Sequence, residues 1–272
     1  MKITELNIYP IKSLGGIALK NSVVENRGLK FDRRWMLVDE KNEFLTQRNF
    51  PKMATLKIVL EKSGLVVSND EKQLEIPFAP EIEFAATVKI WSGKVRAQVY
   101  ESRINDWFAD VLQTNCKLAA MPEETRRKVN YFYAVHKSDV VSFADAYPFL
   151  LIGESSLENL NEKLARKIPM NRFRPNIVVS GAESFAEDEW KKIKIGETIF
   201  HVVKPCARCV MTTIDQDTGI SDGVEPLKTL AAYRIPKRSV KKKILFGQNL
   251  IAENVGGQIK IGDKVEILET KN

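Results

Sequence analysis

The sequence predicts a mainly β protein with some α-helix, built as an N-terminal β-barrel-like domain over residues 1–120 and a second barrel-like domain over residues 121–272. Three observations carry this expectation. Apolar and polar residues alternate with a period of two in many short stretches separated by turn-forming residues, the spacing of half-buried strands. Helical periodicity is confined to a few short segments. A length of 272 residues exceeds the roughly 100 to 200 of one domain, and no repeat of about 20 to 50 residues points to a solenoid or propeller.

In chain order, Leu6 and Ile8 alternate with Glu5 and Asn7. The apolar run at 35–38 is followed by a turn-rich stretch at 39–43 and a further strand at 44–46. Residues 58–60 join 65–67 through Ser63-Gly64, and 87–91 join 95–100 through Ser92-Gly93, close to a hairpin pattern. Many short strands at this spacing imply a small barrel. A helix then interrupts, with Ile104, Trp107, Phe108, Val111 and Leu112 on one apolar face, which places Trp107 in the core. The basic, proline-containing stretch at 121–129 marks the boundary. Beyond it 149–152 reads as a buried strand, and Ser155 with Glu158 offers a capping box for a helix carrying Leu157, Leu160 and Leu164. Strand patterns return at 176–179, 199–203 and 210–214. Pro226 starts a short helix with Leu227, Leu230 and Ala231, and 256–267 alternates as a closing hairpin.

Forty-two Lys and Arg against 35 Asp and Glu leave a net charge of +7, which suggests an anionic partner without choosing among nucleic acid, acidic protein and phosphorylated small molecule. The densest runs are Arg126-Arg127-Lys128 and Lys241-Lys242-Lys243, the latter near Lys237 and Arg238. Without interleaved aromatic residues for base stacking they read as solvated loop charge, so nucleic acid is not the expected partner. No apolar stretch reaches the roughly 18 residues of a membrane span, and the first residues lack a signal-peptide core. A cytoplasmic location with no membrane partner is the expectation. His136 and His201 have no Ser or Asp at a catalytic spacing, and no phosphate-binding glycine loop is present. Three cysteines, Cys116, Cys206 and Cys209, are too few for a disulfide framework, and Cys116 reads as a small buried apolar residue.

Lys204-Pro205-Cys206-Ala207-Arg208-Cys209 sets two thiols and a cation at the exit of one strand and the entrance of the next. Zinc needs four ligands, and His136, His201 and Cys116 lie too scattered to complete a site. A redox pair wants its first thiol at a helix N-terminus, whereas 210–214 reads as a strand. A buried structural pair and a single thiolate ligand to a soft metal, with Arg208 holding the thiolate charged, both remain open on spacing alone.

The wider segment Cys206-Ala207-Arg208-Cys209-Val210-Met211-Thr212-Thr213-Ile214-Asp215, followed by Asp217-Thr218-Gly219, resembles the signature of the MOSC domain, found at the end of molybdenum cofactor sulfurases and in amidoxime-reducing proteins. Tyr9-Pro10-Ile11-Lys12-Ser13 and Asp32-Arg33-Arg34-Trp35 look like the family's N-terminal barrel. Asp145-Ala146-Tyr147-Pro148, Phe173-Arg174-Pro175-Asn176-Ile177, Glu187-Asp188-Glu189-Trp190 and Phe246-Gly247-Gln248-Asn249 look like its MOSC core, in the same order. The resemblance covers essentially the whole chain and assigns 1–120 to the MOSC N-terminal β-barrel domain and 121–272 to the MOSC domain.

The resemblance implies the molybdenum cofactor, in which molybdenum is held by a pyranopterin dithiolene and one cysteine thiolate. The matching thiol is Cys209, as metal ligand and catalytic residue, with Cys206 its neighbour. The cofactor's phosphate and polar pterin call for cations and forked donors. Lys12, Ser13, Arg33, Arg174 and Arg208 are carried over to that cradle, with Asp145, Asn176 and Asn249 as further members. The implied activity is two-electron oxygen atom removal from a small-molecule N-hydroxylated substrate. With no four-cysteine cluster motif, electrons are expected from a separate donor protein of ferredoxin, flavin reductase or cytochrome type. A cofactor carrier or sulfur-transfer module is the first alternative, and a basic nucleic-acid-binding barrel the second.

Overall fold

The computed structural model describes residues 1–81, 84–237 and 240–271, so Arg238 lies outside the described residues. The first half carries β1 (Lys2–Ile8), β2 (Ile17–Leu19), β3 (Asn21–Glu25), β4 (Gly28–Leu29), β5 (Trp35–Val38), β6 (Lys57–Leu60), β7 (Gly64–Ser68), β8 (Gln73–Pro77), β9 (Phe84–Ile90), β10 (Gly93–Val99), α1 (Ser102–Leu112) and β11 (Lys117–Ala120). The second carries β12 (Phe149–Gly153), α2 (Glu154–Asn161), β13 (Ile177–Ser180), β14 (Trp190–Ile195), β15 (Thr198–Ala207), α3 (Leu227–Tyr233), β16 (Leu245–Ala252), β17 (Gln258–Lys260) and β18 (Val265–Thr270). The protein is mainly β with some α, as its alternating pattern requires.

One eight-stranded sheet, in the order β18-β14-β15-β16-β12-β13-β1-β2, organises the molecule. Its neighbours are antiparallel except β12 and β13, whose parallel pairing needs a crossover, and α2 supplies it. The first two strands of the chain thus complete a sheet made by its second half, with Leu6 opposite Ile177. In return β17 pairs with β3. Leu6 and Ile8 lie in one apolar cluster with Phe149, Trp190 and Phe200. A second core joins Ile104, Phe108 and Val111 of α1 to Trp35, Leu65 and Ile76.

Several local expectations are corrected. Residues 256–267 form no hairpin: β17 and β18 diverge to β3 and β14. Alternation fixes which face a strand buries and leaves its partner open. Trp107 is half-buried at one edge of the α1 stripe, packed against the core that Ile104, Phe108 and Val111 enter. Residues 44–46 make a single bridge, Val38 to Phe44, instead of a strand. Arg127 is no solvated charge, since its guanidinium donates to the carbonyls of Ser142, Ala144 and Asp145 and so shapes the loop that carries Asp145.

The capping box also differs. Gly153, not Ser155, is the N-cap of α2, and it offers no side chain. Buried Glu187 substitutes from a distant turn: its Oε1 accepts Gly153 N at 3.1 Å and Ser156 Oγ at 2.8 Å. A Cβ on Gly153 would sit 3.0 Å from Glu187 Oε2, so glycine permits the approach. Glu187→Ala should lower the unfolding free energy by about 1–3 kcal/mol in urea titrations with an unchanged slope, because it strands two donors. Glu197→Ala, at a side chain 91% exposed, should stay within about 0.5 kcal/mol.

Candidate functional site

A polar pocket of about 850 Å³, its mouth included, opens where the two halves meet. All of the residues nominated above line it: Lys12, Ser13 and Arg33 from the first half, Asp145 from the connecting loop, and Arg174, Asn176, Arg208, Cys209 and Asn249 from the second. They come from segments that flank the strands and, for Asn249, from within β16. Lys12 and Ser13 follow β1, Arg174 and Asn176 precede β13, and Arg208 and Cys209 leave β15.

The arginines are held from below. Tyr9 lies under both Arg33 and Arg174, whose guanidinium carbons stand 4.5 and 4.1 Å from its ring centroid. Arg33 donates to buried Asp32 at 2.7 Å and to the Arg174 carbonyl at 3.2 Å. Arg174 Nη1 donates to Gln216 Oε1 at 3.1 Å, and its Nη2 has no partner. Arg208 donates through Nε to the Phe246 carbonyl and through Nη1 to the Phe173 carbonyl, again leaving Nη2 buried and unpartnered. Gly247 makes room for it, since a Cβ there would lie 2.6 Å from Ile152 Cγ1 and 3.3 Å from that Nη2. Asn176 and Asn249 work on the backbone: the Asn176 amide spans Leu150 N and Asn7 O, and Asn249 Nδ2 donates to Lys204 O.

Lys12 Nζ meets Asp145 Oδ1 at 2.5 Å, with the lysine side chain 8% and the aspartate 57% exposed. Burial lowers the pKa of Lys12 against the pull of Asp145. Burial opposes ionisation of Asp145, yet Lys12, with Arg48 and Arg33, brings its pKa down to about 2. Burial depresses Arg174 to about 10, with Arg33 adding like-charge repulsion.

The sulfur segment departs from its expected form. Residues 210–213 make a 3₁₀ turn capped by Cys209, not a strand. The hydroxyls of Thr212 and Thr213 donate back to the Cys209 and Val210 carbonyls, the local bonding that draws Ser and Thr out of extended structure. Both thiols are free, Cys206 half-buried and Cys209 exposed to the pocket. Burial raises the Cys206 pKa, with Arg208 opposing. Among the described residues no three His, Cys, Asp or Glu side chains gather as a metal cage.

Profiles of the MOSC N-terminal beta barrel domain and the MOSC domain match residues 1–115 and 138–266. The chain belongs to the MOSC family. Mitochondrial amidoxime-reducing component 1 of Mus musculus is 35% identical over 283 residues, covering 98% of this chain and 82% of that protein. Mitochondrial amidoxime reducing component 2 of Rattus norvegicus is 33% identical over 281 residues, covering 97% and 82%. Molybdenum cofactor sulfurase of Oryza sativa subsp. japonica is 32% identical over 268 residues, covering 91% of this chain and 32% of that protein. No helix among the described residues is long and apolar enough to cross a membrane.

Within this MOSC pocket, reading by motif missed five contributors. Tyr9 sat inside a quoted motif, but its role as a floor appears only once residues 33 and 174 meet above it. Gln47 and Gln216 exchange amide bonds at 3.1 Å in both directions, and Gln47 also holds the Ser13 carbonyl. Arg172 lines the pocket yet is engaged by Asp215 and Asp222. Arg48, from an unremarkable turn, brings Nη1 to 3.8 Å from Cys209 Sγ and 3.7 Å from Met211 Sδ. No local pattern marks it.

The depressed Asp145 pKa sets a pH dependence. A carboxylate whose folded pKa lies below its unfolded value of about 3.9 stabilises fully above that value and loses its contribution as pH falls toward the folded one. Between pH 5 and pH 2.5 the wild type should therefore lose more stability than Asp145→Asn, by on the order of 1 kcal/mol given the exposed carboxylate. Urea midpoints at both pH values check this, and parallel losses would disconnect the pair from folding.

Proposed function

We propose that the pocket holds molybdenum cofactor and that the protein is an oxidoreductase that removes oxygen from N-hydroxylated compounds such as amidoximes, taking electrons from a separate donor protein. One observation carries this reading. Arg174 and Arg208 converge without an ion-pair partner among the described residues, each with an unpartnered buried nitrogen, beside a free exposed thiol. Unneutralised guanidinium groups at a pocket wall suit a polyanionic, polar ligand, and the exposed thiol suits a soft metal.

The residues fit the group as follows. Arg174 and Arg208 offer their free nitrogens to the phosphate and pterin, with Arg33 and Lys12 adding charge, and Ser13 a hydroxyl. Cys209 supplies the thiolate. When bound, the cofactor provides two-electron redox chemistry for oxygen atom transfer. The overall reaction breaks the N–O bond, consumes two electrons and two protons and releases water. Tyr9, Asp32 and the backbone carbonyls hold the arginines where they stand, so the site is arranged before any ligand arrives. The printed names of the mouse and rat relatives support the amidoxime reaction.

The rice sulfurase, similar over 91% of this chain, favours a second reading, a cofactor carrier or sulfur-transfer module. Turnover separates the two. Protein from a molybdenum-replete host, with a chemical reductant, should reduce benzamidoxime if it is an enzyme, whereas stoichiometric molybdenum without turnover would leave the carrier.

Single-thiolate ligation makes the two cysteines unequal. Cys209→Ser should abolish the thiolate absorption band and cut activity at least tenfold, while Cys206→Ser, a neighbour worth on the order of 1 kcal/mol, should do far less. Molybdenum content, visible absorption and amidoxime reduction of both variants test this. Equal losses would refute it.

A further inference from the structure

We propose that Arg48, held against the rings of Trp91 and Phe44 beside Cys209, anchors an anionic substituent of the substrate, so that the site selects N-hydroxylated compounds bearing a carboxylate or phosphate. This rests on the reductase reading above. Arg174 and Arg208 are tied to Gln216 and to main-chain carbonyls. Among the described residues the Arg48 guanidinium makes no hydrogen bond to an oxygen; it approaches two sulfurs and lies 4.7 and 5.9 Å from the Trp91 and Phe44 centroids. It is therefore positioned with no ion-pair partner among the described residues, though its charge reaches Asp145. Lys12 also faces Phe44, at 5.3 Å, but its charge is already taken by Asp145. That carboxylate makes no ion pair with Arg48.

Trp91 shows that this placement is built. It occupies the first position of the two-residue turn between β9 and β10, where Ile90 pairs with Gly93, and its φ is 55°. Glycine is the ordinary residue at such a position, and a bulky side chain there is uncommon. The indole is 54% exposed, so core burial does not account for it. What it does contact is Phe44, edge-on at 5.2 Å, and Arg48. Strain accepted at a surface turn, for the sake of holding one cation at the rim of a pocket, marks a functional contact. A planar guanidinium resting on a ring still presents its edge as a fork for carboxylate or phosphate oxygens. Since its Nη1 lies 3.8 Å from the thiol, a substrate gripped there has its remaining atoms beside Cys209.

The test compares benzamidoxime with 4-carboxybenzamidoxime, which share a ring and differ by one negative charge. In the wild-type holoprotein the carboxylated compound should show a KM about tenfold lower. Arg48→Gln should raise KM for the carboxylated compound about tenfold more than for the neutral one, and Trp91→Ala should do so to a smaller extent. Arg48→Lys keeps the charge but not the fork, and should recover part of the preference. Molybdenum content is measured for each variant: loss of metal in Arg48→Gln, or an equal effect on both substrates, would move Arg48 into the cofactor cradle and overturn the proposal. Equal wild-type KM values would overturn it too. Should the fully loaded wild type reduce neither compound, the reductase reading fails separately, and calorimetric Kd values decide the anchor. Tighter binding of the carboxylated compound, lost in Arg48→Gln, supports it, and equal binding overturns it.

Discussion

Packing several guanidinium groups against one another is the constraint on which the rest of this structure depends. Arg33 and Arg174 both stand within 5 Å of the Tyr9 centroid. Two such cations repel by roughly 2 kcal/mol or more at the dielectric typical of protein sites. The fold offsets this with Asp32 beneath Arg33, with the Tyr9 ring face, and with main-chain carbonyls at 173, 174 and 246. Those acceptors come from segments far apart in sequence. The large sheet, the left-handed loop ends and the Gly247 gap are all needed to bring them together.

Backbone conformation tells the same story. Ser13, Arg33 and Arg174 each have positive φ, at 69°, 49° and 54°. None is glycine, and each such residue costs roughly 1–2 kcal/mol. Glycine would relieve that strain but remove the side chain the pocket needs. The cost is sustained by surrounding bonds: Arg33 N donates to Tyr9 O, Arg174 N to Asn171 O, and Gln47 fixes the Ser13 carbonyl. A pocket assembled this way changes little when a ligand enters, because its charges have been forced together beforehand.

Much of this was legible in the residues alone. Strand alternation revealed the β class, and the residues nominated from ordered short words all line one pocket, though the words speak to placement and not to role. What escaped were contacts whose partners have no local signature. Glu187 caps α2 from about 30 residues away, and Arg48 owes its position to a tryptophan on another hairpin. Residues 210–213 have strand-like composition, and only the back-bonding threonines turn them into a tight coil. Local pattern reports what a segment prefers; tertiary partners decide which preference is met.

The exchange of strands between the halves bears on how the chain is made. During synthesis β1 emerges before its neighbour β13, which follows about 170 residues later, and β3 waits still longer for β17. At translation rates of about 5–20 residues per second, these edges stay open for on the order of 10 seconds or longer. Polar and charged residues at Lys2, Thr4, Glu5 and Asn7 intersperse the apolar positions of β1, an arrangement that discourages pairing with strangers in the interval. The nascent protein thus holds β1 in reserve, and the pocket takes shape only after β13 to β16 have followed.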